Sequence, residues 1–278
     1  MKNFLLKKPF FISVALASAV CVALRFWQLA FNIEIDSGFY KNAADAGRII
    51  FLVILAITLI FGFVWHKIVK KRAILPVNLK FDFTPLFSER ILFAGVAVGF
   101  AVNTFYEIFR LKNPMPSLLL PGTITAFSVI TTIFSVLAMA FFVCLCFMID
   151  NKQLATSFLS VVTVVFVAFR LLRDFISFTS VFYVSKNLMD ILYLCALMIT
   201  VFSACRLLSS SDVRKGYNVF TFLAPITIVL GFVLSVPAIF GYICGFETAT
   251  ESDMFMHFVD PTLSVFLLRL SMHVYGER

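Results

Sequence analysis

Of 278 residues, 61% are hydrophobic and only 14% are charged, with a mean hydropathy of +1.00, so the chain carries more apolar surface than one water-soluble core can hide. The net charge of +8 sits in short segments beside apolar runs, without the soluble basic face and stacking aromatics that nucleic acid requires. Cys21, Cys144, Cys146, Cys195, Cys205 and Cys244 all lie in or beside apolar runs, which argues against a disulfide framework and a metal site.

Crossing hydrocarbon takes about 20 mostly apolar residues, and a backbone in lipid must satisfy its polar groups within each segment. The expected fold is therefore an all-α, polytopic transmembrane bundle of about eight spans in one membrane domain. In chain order the spans are expected at residues 10–30, 49–65, 91–109, 124–147, 155–172, 188–208, 219–244 and 261–275. The basic start leading into the first span reads as an uncleaved signal anchor. The last span is short and carries Arg269 and His273; without it the C-terminus would change sides.

Charge sets the expected orientation. Lys2, Lys7 and Lys8 precede the first span, a basic loop at residues 66–90 follows the second, and Arg206, Arg214 and Lys215 follow the sixth. The segment 247–260 after the seventh span holds Glu247, Glu251, Asp253 and Asp260 and no Lys or Arg. Both observations put the N-terminus, and with eight spans the C-terminus, in the cytoplasm. In the 66–90 loop, Lys67, Lys70, Lys71 and Arg72 form a topology determinant that can also meet anionic lipid, and the alternation Leu79, Lys80, Phe81, Asp82, Phe83, Thr84 suits the membrane surface.

An internal repeat over residues 1–147 and 148–278 is a further expectation. Arg25 and Arg170 both end an odd-numbered span, Ser37 to Asn42 is echoed from Ser180 to Asn187, Glu107 matches Glu247, and Pro121 matches Pro261. Two parallel four-helix halves would follow, a layout that some transporters use.

Polar groups within the spans are the candidate site. Arg25, Glu107, Arg170, Arg173, Asp174, Asp190 and Asp260 fall in one layer near the outer ends of their spans, where ionisable groups are costly and mark function. A structural alternative stands beside this: Arg25, Arg110, Arg170 and Arg173 lie at the dipole-favoured C-terminal ends, Arg170 and Asp174 can pair at i,i+4, and Asp260-Pro261 reads as an N-cap and first helical position. In the third span Gly95, Gly99, Asn103 and Glu107 recur every fourth residue, a packing stripe ending in a carboxylate expected to meet Arg25 or Arg170, or to bind a proton or cation. Hydroxyl sets at Ser128, Thr132, Ser135 and at Thr156, Ser160, Thr163 suit interhelical hydrogen bonds, or else a polar path, and Pro225, Gly231 and Pro237 can kink the seventh span.

Catalytic signatures are missing: HExxH, Gly-x-Ser-x-Gly, a phosphate-binding glycine loop, and any paired arrangement of His66, His257 and His273. Neither an enzyme nor a cofactor is expected. The stretches Leu24 to Leu29, Ile35 to Tyr40 and Phe169 to Ile176 resemble uncharacterised multi-pass integral membrane proteins of anaerobic Firmicutes, over about a fifth of the chain. That resemblance implies a bacterial cytoplasmic membrane and transfers no activity. Residue by residue, Asp36-Ser37-Gly38 reads as a turn, and Phe39 and Tyr40 as interfacial anchors. Two functions fit these features: a transporter or permease-like component acting on an unknown small molecule, or a non-enzymatic sensor or scaffold binding a partner membrane subunit or lipid.

Overall fold

A computed structural model describes residues 4–33, 46–72, 87–112, 121–147, 154–178, 184–208, 213–245 and 251–275. All described elements are helical: α1 (Phe4–Trp27), extended by a π-helical turn (Gln28–Asn32), α2 (Ala46–Arg72), α3 (Phe87–Lys112), α4 (Pro121–Phe147), α5 (Leu154–Phe178), α6 (Val184–Leu208), α7 (Val213–Ile243), α8 (Glu251–Met256) and α9 (Val259–Val274). The turn at 36–40, the segment at 79–84, Glu247 and Ser180 to Tyr183 lie outside the described residues, as do the side chains of Arg72, Arg110, Thr156 and Ser160.

Among the described residues, six helices (α1, α2, α3, α4, α6 and α7) are long and apolar enough to cross a membrane. α5 equals them in length, at 25 residues, but sets Arg170, Arg173 and Asp174 into its last turns. α9 has only 16 residues. α7 runs through Pro225 and Pro237 as a single 31-residue helix, and Pro121 opens α4, where a missing N–H leaves no bond unmade.

Neighbours in sequence pack together from α3 through to α7, while α1 and α2 both lie against α7. α9 packs against α7, α3 and α1, while α7, which lies against α1, α2, α6, α8 and α9, is the helix most widely packed. The two ends of α9 reach opposite ends of the bundle. Asp260 in its first turn bonds to α5, whereas Tyr275, just past its last turn, meets Phe10 of α1 at 4.9 Å and Trp65 of α2 at 5.9 Å between ring centroids. Between them Phe266 of α9 meets Phe142 of α4 edge-on at 5.4 Å, and Phe100 of α3 lies against both Phe142 and Phe166 of α5. These contacts join residues 1–147 to 148–278 in one core. The two halves also differ in packing: α6 lies along α7, whereas α2 and α3, their counterparts, are not a packed pair of that kind.

Close approach to α9 depends on two glycines. A Cβ on Gly99 of α3 would sit 2.6 Å from the Thr262 hydroxyl, and one on Gly231 of α7 would meet the Ser264 hydroxyl and, at 3.1 Å, the Tyr193 ring. Gly95 corrects the expected packing stripe, since nothing lies within 4 Å of the corresponding position. Four residues advance an ideal helix by about 400°, so a stripe at that spacing drifts by about 40° per step and leaves the contact.

The distribution of polarity is inverted relative to a protein in water. Phe105 is 74% exposed and Phe147 78%, with Phe31, Ile12, Leu16, Ile60 and Ile91 also outward, whereas Glu107, Arg170 and Asp260 are 3% exposed or less.

Candidate functional site: a buried ionic chain

The ionisable residues meet in a continuous chain in which carboxylates alternate with guanidinium and imidazole groups. Glu107 Oε1 accepts from Arg173, and Arg173 also donates to Asp174 Oδ1 through Nε at 2.9 Å. Arg170 faces Asp174 at 3.9 Å, one turn along the same helix, and grips Asp260 with both terminal nitrogens, at 2.6 and 2.9 Å. His257 Nδ1 lies 2.9 Å from Asp260 Oδ2, and its Nε2 lies 3.8 Å from Asp190. The chain thus runs Glu107, Arg173, Asp174, Arg170, Asp260, His257, Asp190, and ties together α3, α5, α9, the α8–α9 turn and α6. Tyr193, one turn beyond Asp190 on α6, donates its hydroxyl to Asp260 Oδ1 at 3.3 Å.

Local sequence explains how each helix delivers its groups. Arg170 and Asp174, at i,i+4, project from one face of α5, and Arg173 between them swings to the neighbouring face toward α3. Asp260 is not the helix cap that Asp-Pro suggests. α9 begins at Val259, its N-cap Phe258 makes no side-chain bond, and Asp260 N bonds back to His257 O at 3.2 Å. Because α8 precedes it directly, the first turn of α9 finds backbone partners there, and the Asp260 carboxylate is left to bind Arg170.

Six of the seven expected site residues therefore converge. Arg25 is placed differently. It is buried and donates to Gln28 Oε1, whose amide donates in turn to Gly47 O at 2.6 Å, forming a polar node between α1 and the start of α2. Glu107 was expected to meet Arg25 or Arg170 and meets Arg173 instead, because α5 presents Arg173, not Arg170, toward α3. His257, Tyr193 and Gln28 were missed. Each lies three residues from a charge already noted (Asp260, Asp190 and Arg25), and that i,i+3 spacing was the available signal.

A hydroxyl and amide ladder leads from Glu107 toward the middle of α3. Thr104 donates to Ser135 of α4 at 2.8 Å, Asn103 approaches the same hydroxyl at 3.4 Å, and Ser135 donates to Phe100 O at 3.3 Å. The expected interhelical role of the α4 hydroxyl set is met at Ser135, while Thr132 turns back to its own helix at Ser128 O. Among the described residues no group of His, Cys, Asp and Glu is arranged to hold a metal ion, and the six cysteines are free thiols.

No family model, no curated protein and no solved structure matches the chain. Fold and site define its class directly: a helical bundle whose helices are compatible with an integral membrane protein, apolar outside and ionic within. No homologue assigns that class an activity.

Proposed function

We propose that the protein is a permease-like transporter, seen closed, with the ionic chain as its substrate or coupling site. The supporting observation is that the charges are buried and joined across four helices, whereas snorkelling residues would reach for headgroups. A purely structural ion pair in such a place is often replaceable by apolar residues without loss of stability, which leaves a functional reason for keeping it. Gly99 and Gly231 are taken up inside the bundle by α9, whereas Gly95 and Gly245 stand in open space, a face that a partner subunit could use in the alternative scaffold reading. No catalytic role is proposed for any residue.

Purified protein screened against charged metabolites should show a thermal shift with at least one. A ligand at a hundredfold its Kd stabilises by about 2.7 kcal/mol, and the shift should vanish in Asp190→Asn. No response to any compound would transfer the argument to a partner-binding sensor.

The same reading places the protein in a bacterial cytoplasmic membrane, among membrane proteins like those of anaerobic Firmicutes, with α5 and α9 completing eight crossings. At about 1.5 Å per residue α9 is about 24 Å long, just short of the hydrocarbon thickness. A C-terminal alkaline phosphatase fusion should be inactive and a green fluorescent protein fusion bright; the opposite result would remove one crossing. At the cytoplasmic end Lys67, Lys70 and Lys71 are exposed on α2, with Lys67 Nζ 4.4 Å over the Phe63 ring. Changing all three to Gln should strip co-purifying anionic lipid, since each basic side chain near the surface contributes about 1 kcal/mol. Unchanged lipid content by mass spectrometry would limit them to setting topology.

A further inference from the structure

At the end of the bundle opposite the ionic chain, α2 and α7 run antiparallel and close against each other. Gly62 makes the approach possible, since a Cβ there would lie 3.0 Å from Phe222 O and closer still to the Ile226 side chain. One turn further along α2, His66 Nδ1 lies 3.0 Å from the Thr221 hydroxyl, which donates its single proton to Asn218 O at 3.1 Å. Toward His66 that hydroxyl can therefore only accept, so the neutral imidazole carries its proton on Nδ1. Nε2 is left as an acceptor on a half-buried ring, with no hydrogen-bond partner among the described residues.

The seam continues into charge. Lys70, four residues beyond His66 on α2, and Arg214, at the start of α7, are both exposed. Arg214 and Asn218 precede Thr221 by seven and three residues, spacings that share its face of α7. Neither α2 nor α7 contains an Asp or Glu to neutralise these cations, and Asp212, ahead of α7, lies outside the described residues. Phe63, Val64 and Val219 are exposed on the same two helices.

We propose that this seam is the headgroup site of an anionic phospholipid bearing a free hydroxyl, as in a glycerol headgroup. Lys70 and Arg214 meet the phosphate from the two helices, the headgroup hydroxyl donates to His66 Nε2, and the acyl chains lie along the exposed apolar residues. A bare phosphate would use the two cations and leave Nε2 without a donor, so it is the hydroxyl that selects the headgroup. The site is separate from the general attraction of Lys67 and Lys71 for anionic lipid. It rests on the membrane reading of the bundle and is independent of transport.

The test is native mass spectrometry of the full-length protein, titrated in detergent with phosphatidylglycerol or with phosphatidylmethanol of the same acyl chains, which has the same charge and no headgroup hydroxyl. Phosphatidylglycerol should bind about fivefold more tightly, the worth of one net hydrogen bond. His66→Phe should bind the two lipids equally, and Lys70→Gln with Arg214→Gln should weaken both by about thirtyfold. Equal binding of the two lipids by the wild-type protein overturns the proposal whether or not the variants fold. So does a preference that survives in His66→Phe. Binding lost in Lys67→Gln with Lys71→Gln but kept in Lys70→Gln with Arg214→Gln overturns the seam and leaves anionic lipid at the lysine cluster standing.

Discussion

Replacing Arg170 by Met should cost about 3–5 kcal/mol of stability, the largest loss expected of any single substitution in the bundle. Arg170 holds both oxygens of Asp260 in a side-by-side pair and also faces Asp174, and all three are buried. Met fills a similar volume, so the loss would come from leaving Asp260 in the interior with only His257 and Tyr193 beside it. Lys should not restore the loss, because a single ammonium cannot reproduce the two parallel bonds. The double change Arg170→Met with Asp260→Leu should recover much of it, since removing both charges also removes their desolvation. Thermal unfolding in detergent measures all four proteins. An Arg170→Met variant as stable as the wild type would show that the pair has no structural weight.

The second large effect is expected at Gly231. Alanine there would press its methyl into the Ser264 hydroxyl and the Tyr193 ring, forcing α7 away from α9 at a cost of about 1–3 kcal/mol. Ser264→Gly should relieve part of the clash in the double variant. Gly95→Ala is the control: with open space at that position, the better helix propensity of alanine should leave stability unchanged or raised by up to about 1 kcal/mol. Equal losses at Gly231 and Gly95 would mean that the α7–α9 approach is not specific.

Helix positions were legible in the sequence because a lipid environment leaves little choice. Each apolar run must be long enough to cross and must be helical, and the observed helices fall on the expected runs except α8, which lies in the expected loop 247–260. α9 at Val259–Val274 lies within two residues of the expected 261–275. The polar layer was legible for the same reason, since ionisable residues stand out against Leu, Phe and Val. Which residue meets which was not legible. Whether Arg170 or Arg173 of α5 faces α3 depends on the rotation of one helix about its axis, and hydropathy carries no information about that angle when charges occupy both faces. The i,i+3 spacing of His257 to Asp260 could be read, but its second partner could not, because Asp190 reaches its other nitrogen from a different helix. Nor did the sequence reveal that a short, late helix would pack against α7, α3 and α1.

That packing has a consequence for the order in which contacts form. Helices emerge from the ribosome in order, yet the groups that fit α9 are made long before it: the Gly99 and Gly231 notches, the Arg170 guanidinium and the Phe10–Trp65 aromatic pair. Until α9 is made, these groups lack the partners it brings, and Arg170 faces Asp174 on its own helix. The contacts made by α9 are thus the last of the described contacts to become available as the chain is made.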